Sequence, residues 1–358
     1  MTGTRMRFGI VGLVLFIINI ILVGGCATTP PGKIGELVWP DPPEEPRVRY
    51  VESLSSRRDV MGPPSFFDRL LGEETGEALA KPYGVLADKA GRVYVADSGQ
   101  GVVFVFDKKN KKLDLVGIRA GVGKLAQPTG LALNSEGILF VSDTKLDRVF
   151  GYDEKGEVVV AIGKKGEFYN PAGIAIDAAS DRLYVPDPGR HVIRVYDSRD
   201  GHFVFSIGER GSGEGQFNFP TNAFVRHSKL YVSDSGNFRI QIFDLDGKFL
   251  KAFGGIGDAP GRFARPKGIA VDSEGHIYVI DAAFDNFQIF DEDGKLLMFV
   301  GGAGASPGRF NLPAGMYIDE EDRIYVADQY NFRVQVFQFL GQQYKAKQAP
   351  EGKAPGPP

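Results

Sequence analysis

The chain has 358 residues, 43% hydrophobic and 24% charged, with 47 Gly, 22 Pro, 27 Phe and 13 Tyr, and this mix favours many short strands joined by tight turns. A single cysteine excludes an intrachain disulfide and a thiolate metal site. The net charge of −3 gives no support to a nucleic-acid partner.

Arg5 and Arg7 precede an apolar run from Phe8 to Val23, broken only by glycines and Asn19, and Val23-Gly24-Gly25-Cys26 follows. Small residues before the only cysteine resemble a bacterial lipoprotein signal, although Gly24 stands where Ala or Ser is more usual. The resemblance implies a signal peptide over residues 1–25, lipidation of Cys26 and attachment to a membrane through that lipid. Ala27 favours the outer membrane of a bacterial cell envelope, facing the periplasm or the cell surface. The other reading of the run is a plain N-terminal membrane anchor. Cleavage removes two arginines and no acid, so the mature charge would be −5. Residues 26–47 are rich in proline and are expected to form an extended tether.

Residues 48–79 are expected to hold a strand and a short helix. Val48-Arg-Tyr-Val-Glu-Ser-Leu54 reads as the strand. Ser65 and Asp68 resemble a helix-capping pair, and Phe67, Leu70 and Leu71 share one helical face, either packed on the fold or free to dock a partner.

From residue 80 to 344 one unit recurs six times. Each copy opens at a proline: Pro82, Pro128, Pro171, Pro220, Pro266 and Pro313. A large apolar residue stands three positions earlier: Leu79, Leu125, Phe168, Phe217, Phe263 and Phe310. An aspartate ends a later apolar strand: Asp97, Asp143, Asp187, Asp234, Asp281 and Asp328, spaced 44 to 47 residues apart. A period in the forties with strands and turns belongs to a propeller blade. Tyr231-Val-Ser-Asp-Ser-Gly-Asn237-Phe-Arg239-Ile-Gln-Ile-Phe-Asp244 recurs as Tyr325-Val-Ala-Asp328-Gln-Tyr-Asn331-Phe-Arg333-Val-Gln-Val-Phe337. These residues resemble NHL repeats. The fold expected is an all-β six-bladed propeller of four-stranded antiparallel blades. Blade six has little sequence after Phe339 suited to an outer strand, so the strand at 48–54 is expected to close it; the alternative outer strand is Gln342–Lys345. Asn222 replaces the glycine of the other copies and is expected to tolerate a left-handed backbone there. Residues 345–358 are expected to lack regular structure.

In a propeller the loops between second and third strands share one face, the upper, with the connections between blades. The repeated aspartates are then expected to cap turns by accepting backbone N–H groups. Columns that differ between blades are where a site is sought. After the proline these are Tyr83, Thr129, Ala172, Thr221, Lys267 and Ala314; in the upper loop, Gly101, Asp147, His191, Phe238, Asp285 and Phe332. Tyr83, Arg148, Arg190, His191, Arg239, Tyr330 and Arg333 are the candidate binding residues of that face, because aromatics beside arginines favour binding hot spots. For Arg148, Arg239 and Arg333 the competing reading is a bond to loop carbonyls.

Three of the four histidines fall on the lower face of different blades, so no metal site, cofactor or catalytic residue is assigned. The resemblance implies a monomeric interaction or ligand-binding scaffold with an envelope protein partner. The alternatives are a lactonase-like hydrolase or lyase with an axial metal, and a small-molecule sensor.

Overall fold

The computed structural model describes residues 36–62, 77–164 and 166–348. The signal segment, Cys26, the helix expected near Phe67 and the last ten residues lie outside that range. Six antiparallel sheets follow one another along the chain. Blade one comprises Pro82–Ala87, Val93–Asp97, Val102–Asp107 and Lys112–Val116, each strand paired with the next. Four more blades repeat this meander, and blade six starts at Pro313–Ile318. The second strands are buried along their length, as in Ile277–Asp281, apart from a basic first residue in three of them (Arg182, Lys229 and Arg323), because sheets lie against both faces. The outer strands alternate, as in Val158–Ile162, because one face meets water. The large residue before each proline is a wedge between blades: Phe168, Phe217, Phe263 and Phe310 are buried, and the Phe263 ring lies 5.7 Å from Phe290.

Val48–Leu54 pairs antiparallel with Arg333–Phe339, Val48 opposite Phe339 and Leu54 opposite Val334. A strand from before blade one therefore supplies the fourth strand of the last blade and covers the edge of Arg333–Phe339. Gln342–Gln348 is helical, which removes the alternative outer strand and replaces the irregular chain expected from Lys345. Val38–Trp39 adds a fifth strand by pairing with Val48 and Arg49. This part of the expected tether is therefore strand. Pro40, Pro42 and Pro43 do limit the pairing to two residues, but the Trp39 ring packs edge-on to Phe337 at 5.7 Å and holds them to the sheet.

The inner strands meet at the axis in a ring of glycines. A Cβ on Gly84 would strike the Thr129 carbonyl of the next blade, and one on Gly315 the Tyr83 carbonyl. Neither glycine has a positive φ, and nor does Asn222. The column thus requires glycine for close approach rather than for a left-handed backbone. Asn222 fits because its amide lies over Gly173, which has no side chain to obstruct it.

Candidate functional site

The six repeated aspartates are wholly buried on the upper face. Asp97 accepts from the backbone N–H of Ala80 at 2.6 Å, Lys81 at 3.0 Å, Gly99 at 3.0 Å and Gln100 at 2.9 Å. Asp143 and Asp281 do the same in their blades. Asp234 and Asp328 accept one backbone N–H each, from Asn218 and Asn311, and complete their shell with side chains. Around Asp234 these are Asn237 Nδ2 at 2.8 Å, Arg239 Nε at 2.9 Å and Gln241 Nε2 at 3.1 Å; around Asp328, Asn331 Nδ2 at 2.8 Å, Arg333 Nε at 2.8 Å and Gln335 Nε2 at 3.0 Å.

Those arginines are consumed by the loops. Arg239 also donates to the carbonyls of Ser212, Gly213 and Gln216, and Arg333 to those of Ser306 and Arg309. Arg190 donates to the Gly166 carbonyl and lies 3.5 Å from Asp187. Arg148 is exposed. His191 is buried; its Nδ1 accepts the N–H of Phe219 at 3.3 Å, across the seam to the next blade. Asp147 and Asp285 hold the same repeat position and likewise accept the N–H of Asn170 at 2.9 Å and of Leu312 at 2.6 Å. This column is a seam clasp, and His191 serves as a third carboxylate would.

Tyr83 takes part in something different. In five of the six inner strands the ladder shifts register just after the proline, as between Pro82 and Gly84 and between Pro266 and Ile269. A bulge re-aims the extra residue. It turns Tyr83 and Lys267 toward each other at the upper mouth, with the Lys267 Nζ 5.2 Å from the ring centroid. Burial pushes the Tyr83 hydroxyl up. On the other side of Tyr83 a cavity of about 510 Å³ is lined by Thr129, Lys145, Asp147 and Asn170 among others. Below the glycine ring a larger cavity of about 1160 Å³ opens to the lower face, with Leu131, Ile174, Phe224, Met316 and Tyr317 in its walls. The Phe224 and Tyr317 rings meet across it at 5.9 Å.

The family described as a 6-bladed beta-propeller matches residues 223–287, and the NHL repeat matches residues 310–337. The chain is a six-bladed β-propeller carrying an NHL repeat. The propeller is 33% identical over 116 residues to the protein brain tumor of Drosophila melanogaster, a match covering 32% of this chain but 10% of that one. It is 33% identical over 106 residues to the human NHL repeat-containing protein 3, covering 27% of this chain and 30% of the other. The matches thus span less than a third of these curated relatives. Among solved structures, a gluconolactonase of Xanthomonas campestris superposes with a TM-score of 0.57 at 14% identity, covering 73% of this chain and 86% of that one. That likeness is one of fold.

In this propeller the axial layer where a metal-dependent site would need converging donors offers glycines and Asn222. Among the described residues one group has the spacing to hold a metal: Asp197, Asp200 and His202, on a lower hairpin of blade three. Arg199 already pairs with Asp197 there and holds its carboxyl down at about 2.

Phe219, which the sequence does not single out, is 51% exposed at φ 51°, and Phe332, in the variable upper-loop column where a site is expected, is in the same state at φ 55°. Bulky residues seldom adopt that backbone. Phe219 is the one aromatic among the residues that precede the six prolines, and Phe332 shares its column with Phe238. Lys267 was visible in the same column as Tyr83, but its reach across Ala314 of the intervening blade was not.

Proposed function

We propose that this propeller is a non-catalytic docking scaffold, tethered to a bacterial envelope membrane by lipid on Cys26, that binds a protein through its upper face. The observation that carries the reading is the pair Phe219 and Phe332: two phenylalanines half-exposed on that face in left-handed backbone. Tyr169 at 61% and Tyr330 at 48% exposure stand on the same face. The Phe219 ring lies 4.7 Å from that of His191 and still leaves half its surface in water, and strained, exposed aromatics are characteristic of binding positions. The candidate arginines support the face indirectly, by fixing its loops. No helix among the described residues is long and apolar enough to cross a membrane.

Photo-cross-linking in native membranes tests this, comparing the wild-type chain with Phe219→Ser/Phe332→Ser and with Val159→Ser, a 53% exposed residue of an outer strand. The expected result is one defined protein adduct, reduced about tenfold or more by the double change and retained by the control. An adduct retained by all three, or none, overturns the upper-face reading. Globomycin-sensitive incorporation of labelled fatty acid, lost in Cys26→Ser, checks the anchor.

A further inference from the structure

Lys267 stands in a bulge at the upper mouth with its ammonium over the face of Tyr83. The blade between them contributes Ala314, fully buried and small enough for the lysine to pass over. Two more cations flank the pair two residues earlier on the same strands: Arg265 before Lys267, and Lys81 before Tyr83. None of the three has an ion pair or a side-chain hydrogen bond among the described residues. The nearest carboxylates along those strands, Asp97 and Asp281, are filled with backbone N–H groups. Burial, with Arg265 and Lys81 adding to it, pulls the Lys267 ammonium down to about 8. Elsewhere on this face Arg239 and Arg333 each have a carboxylate, whereas these three cations have none among the described residues. Such a cluster is destabilising by itself and becomes stabilising when an anion enters it.

We propose that the upper mouth of the channel is a binding site for a compact oxyanion of charge two or more, held between the Lys267 ammonium and the Tyr83 hydroxyl with Arg265 and Lys81 completing the field. Multivalence follows from three positive charges at one mouth. The Tyr83 hydroxyl, which has no hydrogen-bond partner among the described residues, is the neutral donor that orients the anion. The aromatic positions Phe219 and Phe332 are not part of this site, so it stands apart from protein docking.

The test is thermal unfolding of the purified full-length chain in detergent, titrated with inorganic phosphate or with malonate against sodium chloride of equal ionic strength. Phosphate, malonate or both are expected to raise the Tm by roughly 3 °C at about ten times Kd. The probe that acts tells a phosphate group from a dicarboxylate. Lys267→Met should abolish the shift and, without added anion, unfold no lower than wild type, because it removes an unpaired cation. Tyr83→Phe keeps the ring under the lysine and should weaken the response without abolishing it. Equal Tm values in chloride and in both oxyanions, or an undiminished shift in Lys267→Met, overturns the proposal.

Discussion

Among the six equivalent aspartates Asp187 is the exception. In blades three, four and six the i+2 N–H, from Gly189, Gly236 and Tyr330, bonds a loop carbonyl instead of the aspartate, but only Asp234 and Asp328 have an Asn and an Arg side chain to replace it. Asp187 Oδ1 accepts from Tyr169 at 3.0 Å, but its buried Oδ2 has no hydrogen-bond partner. Burial raises this carboxyl from 3.8 to about 6, against the pull of the Tyr169 N–H and of Arg190 and Arg194. Between those values the folded chain holds a proton that the unfolded chain has released. Stability therefore falls as pH rises from about 4 to 6 and is flat above, a loss of about 3 kcal/mol at most. Asp187→Asn keeps the Oδ1 acceptor and removes the charge. It is expected to stabilise the protein by about 2 kcal/mol at pH 7.5 and by little at pH 4, measured by urea unfolding. A loss of stability at pH 7.5 would mean that the ionised carboxylate is paired with Arg190. The defect was legible as Arg190 and Val192 in blade three, where blades four and six place the Asn237–Arg239 and Asn331–Arg333 pairs that fill the second carboxylate oxygen. The mouth around Lys267 was not, since it depends on two bulges and on the size of a residue in a third strand.

The closing strand is the element on which the ring depends. Val48 and Leu54 are wholly buried, and Tyr50 packs edge-on to Phe337 at 5.7 Å. At about 1.5–3 kcal/mol for each large apolar side chain taken from water, the segment contributes on the order of 5 kcal/mol, comparable to the entire stability of many domains. A chain beginning at Gly62 would bare the edge of Arg333–Phe339. Its guanidinium midpoint is expected to fall by half or more, with light scattering rising at micromolar concentration; an unchanged midpoint would show that three strands suffice for blade six. The closure was readable because blade six lacked a fourth strand and one strand-like segment stood unassigned. The fifth strand was not readable. Val38–Trp39 is two residues between a Gly-containing stretch and three prolines, too short to show a period, and only the Phe337 ring recruits it. The helix Gln342–Gln348 escaped for a related reason: it has no buried residue and hence no apolar stripe to read, and it is held in part by the Lys345–Glu45 pair and by Arg49 over the Tyr344 ring.

At the scale of the whole molecule, closure makes the ring differ from an open array of repeats. In an open array each unit touches only its neighbours and the ends can unfold first. Here a strand from before blade one lies inside the last blade, and Phe337 joins the seam between blades five and six to the closing segment: Trp39 at 5.7 Å, Tyr50 at 5.7 Å, Phe287 at 5.6 Å and Phe310 at 6.0 Å. Trp39 is the single tryptophan of the chain, so its fluorescence reports on the closure and on nothing else. Far-UV circular dichroism reports on all six sheets. If closure binds the blades into one cooperative unit, the two guanidinium curves superimpose, with the same midpoint and the same slope. Fluorescence changing at lower denaturant than the sheets would mean that the closing segment detaches while the blades persist, and would make it a latch on an already stable ring.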